Sequence, residues 1–191
     1  MTGVLSRRRL LTAAAGGAAL VALPVRPASA ATDDELAYAN FAVSAELLLA
    51  DFYEKALSAR AVSGRDRVAF RNGRRAAIQH AGAIAGLLTG AGQDAPSADD
   101  FDFQWPEKAF STPTAIASTA RVVLRAVLGL YQTAVVAVSE PSYRILYASL
   151  AASAGQQLGA LAGLGASVDV EPFPVALDLE SASGALEPYL G

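Results

Sequence analysis

Residues 39–53 read ANFAVSAELLLADFY, and this stretch decides the fold. At about 100° per residue, its apolar positions cover half the circumference of a helix. Glu46 falls inside that apolar half, whereas Asp51 and Glu54 fall on the opposite side, as expected for a solvated face. A buried carboxylate is costly unless it is paired. The stretch therefore predicts a core-facing helix in which Glu46 needs a polar partner.

His80, the only histidine of the chain, presents the same problem on a second predicted helix. Its neighbours at helical spacing are apolar or small: Phe70, Gly73, Ala76, Ala77, Ile84, Leu87 and Leu88. An imidazole on such a stripe also needs a partner within the fold. We therefore expect Glu46 to pair either with His80 or with Arg125 inside the protein.

Helical periodicity extends along most of the chain and predicts four long helices. They cover about residues 32–61, 66–88, 112–138 and 141–163. Thr32 and Glu35 predict a capping box at the start of the first helix, and Ser111 or Thr112 is predicted to cap the third. Residues 93–110 are rich in proline, aspartate and aromatic residues, so they are predicted to form a long connection whose aromatic side chains pin it to the helices. Such a connection allows helices two and three to run parallel. The predicted fold is all-α, a four-helix bundle followed by a tail at 167–191 with a short helix near 181–190.

The first 30 residues are predicted to be an export signal. Ser6-Arg7-Arg8-Arg9-Leu10-Leu11 resembles a twin-arginine motif, an apolar stretch reaches Leu23, and Ala28-Ser29-Ala30 fits a cleavage site. An uncleaved membrane anchor is the alternative, although the apolar stretch is shorter than the ~20 residues of a membrane span. We expect the mature domain, residues 31–191, to have no transmembrane span and to be periplasmic, attached to the cell envelope, or secreted.

Charge and composition exclude several classes of function. The leader holds four of the 15 basic residues and no acidic one, which leaves 11 basic and 18 acidic residues and a net charge of −7. This charge argues against nonspecific nucleic-acid binding. The absence of cysteine excludes disulfides and thiol catalysis.

One basic cluster stands out against this negative charge. It begins just before the second helix and comprises Arg65, Arg67, Arg71, Arg74 and Arg75. We interpret it as a solvated helix face beside the acidic first helix. The alternative is a surface that binds an anion or a partner.

Residues 39–53 resemble the first helix of exported ferritin-like domain proteins, the group that includes the desiccation-related proteins. Phe101-Asp102-Phe103 is similar to the loop between helices of that family, and residues 173–190 resemble its closing segment. The resemblance covers residues 33–190. It implies a ferritin-like bundle, in which two helices each contribute a carboxylate and two others each contribute a Glu-x-x-His pair to a di-metal site.

The resemblance implies that most of these metal ligands have been replaced. Glu46 matches the carboxylate of helix one and His80 matches the histidine of helix two, where Ala77 stands in place of the paired glutamate. In helix four, Ala154 and Gln157 replace glutamate and histidine. In helix three, the carboxylate position falls near Leu124 or Arg125. One carboxylate and one imidazole cannot neutralise and orient two metal cations.

The sequence therefore favours an exported ferritin-like protein that has lost its di-metal site, binds no cofactor, and has a non-catalytic structural or binding role. The alternative is a metal-binding oxidoreductase or storage protein with a residual site at Glu46 and His80. A weak mononuclear metal would then be completed by water and Gln157. The alanine-rich fourth helix permits close helix approach, and hence a homo-oligomer. The sequence does not identify a partner protein.

Overall fold

The computed structural model describes residues 32–164 and 175–191, which form five α-helices and no strand. They are α1 (Asp33–Ser58), α2 (Gly64–Gly90), α3 (Pro113–Ala137), α4 (Pro141–Ala160) and α5 (Leu179–Leu190). The prediction of an all-α fold with four long helices is confirmed, with boundaries that differ by a few residues. The predicted leader, residues 1–30, and residues 167–174 of the predicted tail lie outside the described residues.

The helix ends follow from short-range hydrogen bonds between side chains and backbone. Thr32 and Glu35 form the predicted capping box of α1. Thr112, rather than Ser111, caps α3, because its hydroxyl accepts a hydrogen bond from the Ala115 amide. Proline occupies the first position of α3 and of α4, where its missing amide hydrogen would have had no helical partner.

Contacts at the two ends of α1 define the direction of its neighbours. Tyr53, late in α1, packs edge-on against Phe70, early in α2, so these two helices are antiparallel. Glu35, early in α1, bonds to Ser139 just beyond the end of α3, so this pair is antiparallel as well. Helices α2 and α3 therefore run parallel, an arrangement that the long connection between them allows.

Aromatic side chains hold that connection against α1, as predicted. Trp105 and Phe110 both pack against the fully buried ring of Phe52, with centroids 5.4 and 5.6 Å away. The indole nitrogen of Trp105 also donates a hydrogen bond to Asp51 at 2.6 Å. Asp51 is therefore only partly exposed, because Trp105 packs beside it, whereas Glu54 on the same predicted face is exposed.

The end of the chain packs against α3 at a glycine. The Leu177 amide donates to the Gly129 carbonyl at 3.0 Å, and this hydrogen bond ties the segment just before α5 to α3. A Cβ atom at Gly129 would lie only 2.7 Å from Cγ of Leu177. The contact thus requires the smallest residue in the middle of a core helix.

Glu35 ties the start of α1 to the turn between α3 and α4. One carboxylate oxygen accepts from the Thr32 amide, and the other accepts from the amide and hydroxyl of Ser139 at 2.7 Å and from the Glu140 amide. Burial alone would raise the pKa of this carboxyl, but the hydrogen bonds from Thr32, Ser139 and Glu140 together lower it from 4.5 to about 2. The folded protein therefore stabilises the ionised form.

This lowered pKa predicts an acid-sensitive contribution to stability. Because the pKa is lower in the folded state, the contribution is present above about pH 4.5 and disappears as the pH falls towards 2. The lowered pKa of Glu35 corresponds to a contribution of about 3 kcal/mol to the free energy of unfolding. Glu35→Gln should therefore lower the free energy of unfolding at neutral pH and flatten its decline in acid, as measured by urea denaturation between pH 2 and pH 7. Glu187→Gln, at an exposed position of α5, is the control. Parallel pH profiles for wild type and Glu35→Gln would contradict this role.

Candidate functional site

Glu46 lies near the middle of α1, and its side chain is only 2% exposed. Its Oε1 atom accepts a hydrogen bond from the Tyr131 hydroxyl of α3 at 2.6 Å and lies 3.2 Å from Nδ1 of His80 on α2. Three helices thus meet at one carboxylate oxygen. The other oxygen, Oε2, is buried and has no hydrogen-bond partner among the residues that the structure describes.

His80 occupies the position that its apolar stripe predicted, with 8% of its surface exposed. The side chain one turn before it is that of Ala77, which is fully buried, and Ile84 fills the next turn. Glu46 and His80 are therefore brought together, as one of the two pairings from sequence proposed. The contact is an ion pair when the imidazole is protonated and a hydrogen bond from a neutral imidazole to the carboxylate otherwise.

A second polar contact links α1 to α4. The Tyr53 hydroxyl donates to Oε1 of Gln157 at 2.5 Å, and the Gln157 amide nitrogen donates to the Ser153 hydroxyl at 3.2 Å. The ring of Tyr53 fits against Gly73 of α2, where a Cβ atom would approach it to 2.6 Å. Gln157 is therefore already engaged on both sides of its amide.

Burial keeps the central tyrosines protonated. Desolvation raises the pKa of Tyr131 well above its usual value, and the charge of Glu46 and the hydrogen bond to it raise the pKa further. Desolvation and the charge of Glu46 act in the same direction on the pKa of Tyr53. Both phenols are therefore hydrogen-bond donors throughout the physiological pH range.

Tyr147 of α4 packs against Tyr131, which belongs to this network. Its ring centroid lies 6.0 Å from that of Tyr131, and burial raises the pKa of its hydroxyl. The hydroxyl oxygen is buried and lacks a hydrogen-bond partner within residues 32–164 and 175–191. Two buried side-chain oxygens, Oε2 of Glu46 and the hydroxyl of Tyr147, thus have no hydrogen-bond partner among the described residues.

The groups at this centre do not fit the di-metal site that the resemblance implies. Methyl groups stand at the buried positions Ala77 and Ala154, and the Gln157 oxygen accepts from Tyr53. Across the described ranges, no group of three or more histidine, cysteine, aspartate or glutamate residues is placed to hold a metal ion. Two divalent cations would need several carboxylates for charge balance and geometry, and the centre offers one.

Sequence reasoning missed the partner of Glu46 on α3. The expected contact lay near Leu124 or Arg125, but the residue that reaches Glu46 is Tyr131, about two turns farther along α3. Leu124 is fully buried in the apolar core. A signal was present, because Tyr131 stands in an apolar stripe and a buried phenol usually finds a hydrogen-bond partner.

In the part of the chain that the structure describes, α3 alone is long and apolar enough to cross a membrane. More than half of its most apolar window is buried by the other helices. A core helix of a bundle meets the same criterion of length and composition.

Comparison with known proteins gives one family match. The family model described as a ferritin-like domain matches residues 34–166, which include α1 to α4 and the crossover. None of the curated proteins matches the chain significantly.

Proposed function

Since the chain belongs to the ferritin-like domain family, we propose that it is an exported member of that family whose di-metal site has been lost. In this proposal the bundle has a non-catalytic structural or binding role outside the cytoplasm. The observation that carries the proposal is the composition of the bundle centre. There the lone carboxylate of Glu46 is bonded by a phenol and an imidazole instead of facing further carboxylates.

The hydrogen bonds at Glu46 replace part of what a cation would supply. A metal ion balances the charge of its carboxylate ligands, whereas here Tyr131 and His80 donate towards the same oxygen. Ala77 and Ala154 add apolar packing where the family pattern calls for ligands. Such a centre favours a stable bundle over the binding of two metal ions.

Metal titration of the purified protein tests the loss of the site. We expect no saturable binding of Fe²⁺, Mn²⁺ or Zn²⁺ in calorimetry, because a single carboxylate cannot hold two cations. The matched control is the triple variant Ala77→Glu, Ala154→Glu and Gln157→His, which restores two Glu-x-x-His pairs. It should show saturable metal binding under conditions where wild type shows none, since it adds two carboxylates and one imidazole to the centre. Stoichiometric binding of two metal ions by wild type would overturn the proposal.

A residual mononuclear site at Glu46 and His80 is the second candidate. It is favoured by the unsatisfied Oε2 atom of Glu46, which is a buried oxygen ligand without a partner. Gln157 would first have to leave Tyr53 to complete such a site. Binding of one equivalent of metal by wild type, abolished by Glu46→Gln and by His80→Gln, would establish this candidate in place of the metal-free one.

Export is the other part of the proposal, and its support is the order of basic residues, apolar stretch and cleavage site in residues 1–30. Replacing Arg7, Arg8 and Arg9 by lysine keeps the charge but removes the paired guanidinium groups. We expect this variant to stay in the cytoplasm with its full mass, as cell fractionation and mass spectrometry would show. Normal export of the lysine variant would contradict a twin-arginine route.

A further inference from the structure

A shallow cleft of about 610 Å³, widely open to solvent, lies at the turn between α1 and α2. Its lining is formed by the last turns of α1, two residues of the turn, and two arginines of α2: Glu54, Leu57, Ser58, Ala59, Arg60, Arg67 and Arg74. The cleft lies about two helical turns from Glu46 along α1. It is therefore distinct from the centre of the bundle.

The residues that line the cleft carry a net positive charge. Arg67 donates to the Leu57 carbonyl at 2.8 Å, which orients its guanidinium group without cancelling its charge. Arg74 pairs with Glu54 at 2.9 Å, but its Nε atom is buried and has no partner within the described residues. Three guanidinium groups and one carboxylate leave the lining with a net charge of +2.

This local charge is opposite to that of the whole mature domain. Residues 54–75 contain seven basic and two acidic side chains, although residues 31–191 carry a net charge of −7. Repulsion among like charges held in a concave surface is relieved by a bound anion. Arginine is suited to phosphate in particular, because its planar group makes two parallel hydrogen bonds to neighbouring oxygens.

We propose that this cleft binds a small soluble compound carrying phosphate groups. Arg60 and Arg67 contact the phosphate oxygens, and Arg74 adds its positive charge to the lining. The hydroxyl group of Ser58 supplies a further donor, and Leu57 lines the apolar part of the cleft. A doubly charged phosphate matches the net charge of the lining. The binding does not depend on whether the bundle centre holds a metal.

Calorimetry with inorganic tripolyphosphate at low salt tests the proposal on the purified protein. Arg60→Gln with Arg67→Gln should weaken binding by about tenfold or more, since hydrogen bonds from charged donors to phosphate are among the stronger ones. Arg71→Gln with Arg75→Gln removes the same charge from α2 outside the lining and should change the affinity by less than about twofold. Glu54→Gln should tighten binding about threefold, because it removes the negative charge of the cleft and frees Arg74.

Three results would overturn the proposal. One is the absence of tripolyphosphate binding at millimolar concentration. Another is an equal loss of affinity in the control pair, which would mean general attraction to a basic helix face. The third is binding to vesicles containing phosphatidylglycerol but not to tripolyphosphate, which would assign the arginines to a lipid surface. Thermal melting of each variant shows whether a loss of binding is due to unfolding. Glu54→Gln remains informative in any case, because its expected effect is tighter binding.

Discussion

Glu46→Ala should lower the free energy of unfolding by about 3–5 kcal/mol, since the variant leaves the hydroxyl of Tyr131 and the imidazole of His80 buried without their common acceptor. The lost side chain also leaves a cavity between three helices. Urea denaturation followed by circular dichroism measures the change. Glu180→Ala, at an exposed position in α5, should change stability by no more than about 0.5 kcal/mol.

A double-mutant cycle separates the hydrogen bond from the cavity. Tyr131→Phe alone removes the phenol oxygen and should cost about 1–2 kcal/mol. If the bond is made in solution, Glu46→Leu combined with Tyr131→Phe should be less destabilising than the sum of the two single changes, because no donor from Tyr131 is then stranded. Strict additivity of the two changes would contradict a direct bond between these residues.

Phe52→Ala should destabilise the protein by about 3–5 kcal/mol, the usual cost of removing a buried aromatic ring. The ring is fully buried and lies within 5.4–6.1 Å, centroid to centroid, of Tyr53, Phe70, Trp105 and Phe110. These neighbours come from α1, α2 and the crossover, so one substitution loosens all three. Thermal and urea unfolding measure the loss, and proteolysis within residues 93–110 should become faster.

Phe101→Ala is the matched control for this substitution. Phe101 is in the same crossover, is half-buried, and stacks on Phe103 at 5.3 Å. A surface stack of this kind contributes about 1 kcal/mol, so the control should be clearly less destabilising than Phe52→Ala. Equal losses would show that the crossover is held by its own stacking instead of by the ring of Phe52.

Much of the fold was predictable because it depends on local patterns. The stripe in residues 39–53 fixed which face of α1 is buried, and Thr32 with Glu35 marked its start. The proline-rich and aspartate-rich stretch after α2 marked the crossover. Each of these signals acts within a few residues of the chain, where propensity and periodicity are strongest.

The partner choices were less predictable, since they join residues far apart in the chain. Glu46 and Tyr131 are 85 positions apart, and Tyr53 and Gln157 are 104 apart. Which side chain of α3 contacts Glu46 depends on how far α3 is shifted along its axis relative to α1. The spacing of apolar residues within α3 carries no information about that shift. For the same reason Asp51 was assigned to solvent, although the crossover brings Trp105 to it.

The sequence by itself determined that four amphipathic helices form a bundle and that Glu46 and His80 are buried in it. The tertiary structure alone decided that Tyr131 shares the carboxylate with His80, that Tyr53 engages Gln157, and that Arg60, Arg67 and Arg74 line one cleft. The physical reason is that burial follows from a periodic pattern along one helix. Pairing depends on the offset between helices, which only the packed core sets.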